Sequence, residues 1–183
     1  MFLSLEEKEM KKIAFIGTHG TRKTTYSHGL AYYLKTQGIN ADLLYEVARK
    51  SPLPINEDRT PSTQRWILHT QIAEELAFEK QEIDALVCDR SVLDNYAYFV
   101  EKFGRDVALD AIVKSHVKTY DLLIKVPITR DQIDDDGIRS TDKDFQRRID
   151  ETVDILLKSF GVIVVPFENI DQIVKHSLKR FGN

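Results

Sequence analysis

Residues of a kind that handle phosphate lie close together near the start of the chain. Gly17-Thr18-His19-Gly20-Thr21-Arg22-Lys23-Thr24-Thr25 follows the short apolar run Ile13-Ala14-Phe15-Ile16 and leads into helix-compatible sequence. A loop between a strand and a helix start presents free backbone N–H groups and the positive end of a helix dipole. A lysine and a hydroxyl at the first helical positions complete the layout of a P-loop, G-x-x-x-x-G-K-[ST], with the lysine on the β/γ-phosphates and the hydroxyl on Mg²⁺. Gly17, Lys23 and Thr24 fit that spacing, but the second glycine position holds Arg22. His19 lies within the loop, where it touches phosphate or shapes the turn.

Further charged residues fall where strands are predicted to end. Glu46 closes the apolar run Ala41–Tyr45, with Arg49 one turn on. Asp89 and Arg90 follow the run Asp84–Cys88, and Arg139 lies in a charged stretch, residues 129–142, that also holds Arg130 and Asp134-Asp135-Asp136. Carboxylates beside a P-loop hold Mg²⁺ or take the acceptor proton, and arginines offset charge on a transferred phosphoryl group. The predicted catalytic set is therefore Lys23, Asp89, Glu46, Arg90 and Arg139, with Thr24 and Asp89 as metal ligands. Gln64, Trp66 and Gln71 lie beside the expected acceptor pocket, and packing in the core is the simpler use of Trp66. The three consecutive aspartates face solvent in this reading, since adjacent side chains do not converge on one ion.

Elements that position these residues follow from periodicity and punctuation. Strands are predicted at 12–16, 41–45, 84–88, 121–126 and 161–165. Helices are predicted at about 23–36, from Pro61 with Thr60 as cap, from Ser91, at about 106–118, 143–159 and 170–179. Leu68, Ile72 and Leu76 recur every four residues and read as a core-facing stripe. Ser91-Val92-Leu93-Asp94 is a capping box, which leaves Asp89 free for another role. The strands lack in/out alternation, as expected of a parallel sheet covered on both faces. The result is an α/β three-layer fold with one domain over 10–183 and an extension over 1–9.

Composition narrows the function. The chain has 183 residues, net charge −3 and one cysteine. There is no basic excess to mark nucleic-acid binding, no possible intramolecular disulfide, and no apolar run that spans a bilayer. Cys88 reads as a small buried residue. The start of the chain lacks a signal-peptide core, so a cytoplasmic setting is expected.

Taken together, Gly17 to Thr25, Glu46-Val47-Ala48-Arg49, Asp89 to Tyr96 and Asp136-Gly137-Ile138-Arg139-Ser140 resemble the prokaryotic P-loop family labelled as AAA-type ATPases. That family is similar to nucleoside and nucleotide kinases, including thymidylate kinase and nicotinamide riboside kinase. The resemblance implies a P-loop NTPase fold with sheet order 2-3-1-4-5, a lid over about 129–142 with Arg139 as its arginine, and Mg-ATP as donor to a small-molecule acceptor. By the same analogy Glu46 or Asp89 serves as acceptor base or Mg²⁺ partner, and a homodimer is a further expectation. ATP-driven motors place Glu after the Walker B Asp, whereas this chain has Asp89-Arg90, closer to the kinases. Two alternatives stay open: a degenerate P-loop whose ATP binding is impaired by Arg22, and a partner-regulated ATPase.

Overall fold

A computed structural model describes residues 9–129 and 133–181. The extension expected over residues 1–9 and the lid residue Arg130 therefore fall almost wholly outside the described residues.

Five strands, β1 (Lys11–Ile16), β2 (Ala41–Leu44), β3 (Ala85–Asp89), β4 (Leu122–Lys125) and β5 (Val165–Pro166), form one parallel sheet in the order 2-3-1-4-5. Six α-helices accompany them: α1 (Lys23–Thr36), α2 (Pro61–Phe78), α3 (Val92–Phe103), α4 (Val107–His116), α5 (Lys143–Phe160) and α6 (Ile170–Leu178). Ile13, Phe15, Ala85 and Val87 point to one face and pack with α1 and α6. Ala14, Ile16, Leu86 and Cys88 point to the other and pack with α2 to α5. A strand buried on both faces has no polar face to show, which is why its sequence reads as a continuous apolar run.

Local chemistry sets the element boundaries. Thr60 caps α2 by accepting from the Thr63 N–H at 3.1 Å, with Pro61 at the first helical position. Ser91 caps α3, its hydroxyl accepting from Leu93 N–H at 3.1 Å while Asp94 accepts from Ser91 N–H at 2.6 Å. Together these two caps fix the directions in which α2 and α3 leave the sheet.

Several boundaries differ from the sequence-based expectation. β3 starts one residue late because the Asp84 carboxylate accepts from Asn40 N–H at 2.9 Å and closes the preceding turn. It ends on Asp89, which is thereby held by the sheet. α4 ends at His116 and tightens into a 3-10 turn, Val117–Thr119. β5 is only two residues long, where 161–165 was expected. It is an edge strand carrying Pro166, which has no N–H for a ladder, and Ile163 is 91% exposed. The stripe on α2 is also rotated. Leu68 is buried and Ile72 half-buried, but Leu76 is 49% exposed, and the inward positions are Gln64, Ile67, Leu68, Gln71 and Glu75. Polar residues occupy more than half the inward face, so counting apolar residues alone misplaces it.

This rotation has a measurable consequence. Leu68→Ala is expected to cost about 2–5 kcal/mol, the range for a fully buried leucine, whereas Leu76→Ala is expected to cost less than about 1 kcal/mol. Urea denaturation of both variants checks it, and equal losses would contradict the assigned face.

Candidate active site

The first loop is shaped by its backbone. Gly17 has φ 130°, and a Cβ there would lie 2.8 Å from the Val126 carbonyl oxygen. Only glycine fits such a close approach at positive φ. Thr21 Oγ1 donates to the Thr18 carbonyl at 3.1 Å, and Gln146 Nε2 donates to the His19 carbonyl at 2.7 Å. Arg22 takes φ 67° and ψ 23°, the left-handed conformation, immediately before α1. It is solvent-exposed at the rim of the cavity; its carbonyl accepts from Tyr26 N–H at 3.1 Å, and its side chain makes no hydrogen bond or ion pair among the described residues. A non-glycine residue in this conformation costs about 1–2 kcal/mol, and Arg22 holds it at the last position before α1.

Lys23 is buried, and its ammonium donates to the Thr18 carbonyl and to Thr21 Oγ1. Burial, with Arg90 adding to it, lowers its pKa to about 8. Thr24 Oγ1 donates to Asp89 Oδ2 at 2.6 Å, which joins the first turn of α1 to the end of β3. Burial and the charge of Glu46 raise the Asp89 pKa, while the Thr24 hydrogen bond opposes the rise. A hydroxyl and a carboxylate oxygen this close make a hard-oxygen pair that suits a divalent cation such as Mg²⁺.

Glu46 and Arg90 form the other half of the site. Arg90 Nε donates to Glu46 Oε1 at 2.6 Å, and Arg49 Nε to Glu46 Oε2 at 2.9 Å. On the far side of Arg90, Asp94 Oδ2 lies 3.5 Å from Nη1. Arg49 Nη2 in turn reaches Asp136 Oδ2 at 2.5 Å, and Arg139 Nη2 lies 3.4 Å from the same carboxylate. Charges of alternating sign thus run from α3 across the ends of β3 and β2 to the loop that holds Arg139. Burial alone would raise the Glu46 pKa, but the charges of Arg90 and Lys23 outweigh it and hold the value at about 2.

All these groups meet at a cavity of about 440 Å³. Of the residues singled out from sequence, His19 to Thr25, Glu46, Asp89, Arg90 and Arg139 line it, while Gly17 and Thr18 support the loop from beneath. His19 Nδ1 shares a hydrogen bond with Tyr98 OH at 3.0 Å, and its ring lies 5.2 Å from that of Phe145. Burial and three nearby cations, Arg90 foremost, lower its pKa to about 3, so the ring is neutral and shapes the loop. Gln64 lines the cavity; Gln71 lies behind it, and Trp66 is half-buried against the core. Asn95 and Tyr98 also line it; Asn95 falls in the Asp89 to Tyr96 stretch without a role of its own there, and Tyr98 lies beyond it. Their only signal is their position on α3, one and two turns after Arg90.

Glu46 links this site to acid stability. Its folded-state pKa lies below the unfolded value, so its contribution is complete above about pH 4.5 and is lost as pH falls toward about 2. A shift of that size is worth about 3 kcal/mol. Glu46→Gln is therefore expected to flatten the fall in stability between about pH 5 and about pH 3, measured as the urea midpoint. Parallel slopes in wild type and variant would contradict the assignment.

Comparison with known proteins places this geometry in a family. The chain resembles the solved thymidylate kinase of Ehrlichia chaffeensis at 18% identity, with a TM-score of 0.64 over 96% of this chain and 100% of that one. Deoxyadenosine kinase of M. mycoides matches at 13% identity and a TM-score of 0.58, covering 93% and 98% of the two chains. The NadR protein in complex with NR matches at 21% identity and a TM-score of 0.66, over 87% of this chain and 46% of that one. At these identities the likeness establishes a shared fold. No curated protein matches by sequence. The family model described as AAA domain matches residues 12–172, and the chain belongs to that family.

Proposed function

We propose that the protein is an ATP-dependent small-molecule kinase of the nucleoside or nucleotide type. One observation carries the reading: the Thr24–Asp89 contact of 2.6 Å, beside Lys23 and opposite the Glu46–Arg90 pair, on the wall of one cavity. The kinases among the structural neighbours share the fold and add support. Bound Mg-ATP would supply the phosphoryl group and neutralise part of its charge. Thr24 and Asp89 would hold the cation, and the loop N–H groups with Lys23 would hold the phosphates.

Roles of the remaining residues follow from their charge. Glu46 is ionised and fixed by two arginines, so it would orient an acceptor hydroxyl and pass its proton on to solvent as the new O–P bond forms and the bond from the γ-phosphorus to the ADP leaving group breaks. Arg90 keeps that carboxylate in place and offsets charge near the transferred group. Arg139, turned here toward Asp136 and the Asp134 carbonyl at 3.3 Å, is the lid cation available to the phosphates on closure. Arg49, Arg90 and Arg139 each already have a carboxylate partner. A phosphorylated acceptor would have to displace one of them or reach Arg22 at the rim, so the inner part of the cavity suits the hydroxyl of an uncharged, nucleoside-type acceptor. The single domain, a cytoplasmic setting and a homodimer belong to the same proposal. Among the described residues no helix is long and apolar enough to cross a membrane.

The test is a coupled assay for ADP with Mg-ATP and a panel of nucleosides and nucleoside monophosphates, with products identified by mass spectrometry. Transfer to a nucleoside is expected, falling about 10²–10⁴-fold in Glu46→Gln and abolished in Lys23→Ala. No acceptor-dependent ADP across the panel would overturn the kinase reading. Hydrolysis without an acceptor, stimulated by a protein partner, would favour the switch ATPase instead.

A further inference from the structure

Arg90 has an unusual backbone for its residue type. Its φ is 102°, a value that side chains rarely adopt, at the point where the chain leaves β3. Such a conformation costs about 1–3 kcal/mol and persists only where its surroundings enforce it. Arg90 N–H donates to the Phe15 carbonyl at 3.2 Å, which fixes one side of the residue. The Arg90 carbonyl accepts from Gln71 Nε2 at 3.4 Å, which fixes the other.

Gln71 is fully buried on α2, behind the cavity wall. Its amide meets three partners. Nε2 donates to Glu75 Oε1 at 2.8 Å and to the Arg90 carbonyl, and Oε1 accepts from Asn95 Nδ2 at 3.4 Å. The two contacts toward the cavity are long, while the contact to Glu75 is short. Glu75 therefore decides which way the amide faces, because an ionised carboxylate only accepts. With the amide reversed, oxygen would face carboxylate, and both Arg90 and Asn95 would lose their partner at once.

Glu75 is itself held from behind. It is fully buried, one turn beyond Gln71, and its oxygens meet Tyr120 OH at 2.6 Å, His116 Nε2 at 2.8 Å and Lys12 Nζ at 3.1 Å. A buried carboxylate with this many donors stays ionised, and its pKa is lowered despite burial. We propose that Gln71 and Glu75 are positioning residues for the reaction: Glu75 orients the Gln71 amide, and Gln71 sets the backbone of Arg90 and the side chain of Asn95 on the acceptor wall of the cavity. The role in transfer rests on the kinase reading; the effect on Arg90 does not.

The experiment uses the full chain with Gln71→Met, which keeps volume and removes the amide, and with Glu75→Gln. If Glu75→Gln fails to fold, because Lys12 loses its countercharge, Gln71→Met decides alone. The first readout is water exchange of the Arg90 Nε–H by ¹⁵N NMR, assigned with Arg90→Lys. In the wild type this N–H is buried and donates to Glu46 Oε1, so slow exchange is expected. In folded Gln71→Met it is expected to exchange about 10-fold faster or more, in line with loss of local protection. An unchanged exchange rate would overturn the proposal, whatever the protein phosphorylates.

The second readout uses the nucleoside that the panel identifies. The KM for that nucleoside is expected to rise about 10-fold in Gln71→Met while the KM for ATP changes less than about twofold. Equal loss on both substrates would mean a general structural role and would also overturn the proposal. Absence of transfer in the wild type would instead refute the kinase reading, and the NMR result would still stand.

Discussion

The site depends on the ion pair between Glu46 and Arg90 at the ends of two adjacent strands. Both groups are largely removed from water, with 14% and 7% of their side chains exposed. Removing such charges from water costs several kcal/mol per ion unless each finds a partner. Here each finds two: Glu46 also takes Arg49, and Arg90 also takes Asp94. That double pairing keeps a carboxylate ionised inside a cavity where burial alone would raise its pKa. It also means that the cavity holds its charges in fixed places before any ligand arrives, which is the arrangement that lowers reorganisation during reaction. Deleting Arg90 would leave Glu46 only Arg49, and deleting Glu46 would leave Arg90 only the longer contact to Asp94.

The sheet delivers these charges to one place. In a parallel α/β sheet every strand ends on the same side, so residues far apart in sequence converge there. β1 brings Thr24 through its loop, β2 brings Glu46 and β3 brings Asp89 and Arg90. The segment after β4 brings Arg139, tied across by the shared Asp136. α2 and α3 form the wall behind, and their polar inward faces connect the cavity to Glu75 and its buried partners.

Much of this was legible in the sequence because its signals are local. The Gly17–Thr24 spacing marks the loop, Thr60-Pro61 and Ser91 to Asp94 mark helix starts, and apolar runs mark strands. The carboxylates and arginines at strand ends followed from those assignments. What was hidden depends on distant partners. Glu75 looks like a surface residue of a helix until Tyr120, His116 and Lys12 are placed against it, and Gln71, expected beside the acceptor pocket, lies behind its wall. Arg90's positive φ has no sequence mark, since arginine gives no hint of it. Asn95 and Tyr98 became cavity residues only once α3 was set against α2 and α5. β5 was overestimated because an apolar run at a sheet edge has only one neighbour to pair with.

Arg22 is where local rule and observed structure meet most directly. A residue other than glycine holds the left-handed turn ahead of α1, and its side chain lies at the rim of the cavity. The left-handed turn is therefore present despite the missing glycine, and the proposed phosphate cradle rests on it. Calorimetric titration of Mg-ATP into the wild type and Arg22→Gly, side by side, tests this most directly. Comparable affinity in both is the predicted result. Binding by the glycine variant with none by the wild type would contradict the account, and would make this P-loop one that its own arginine keeps shut.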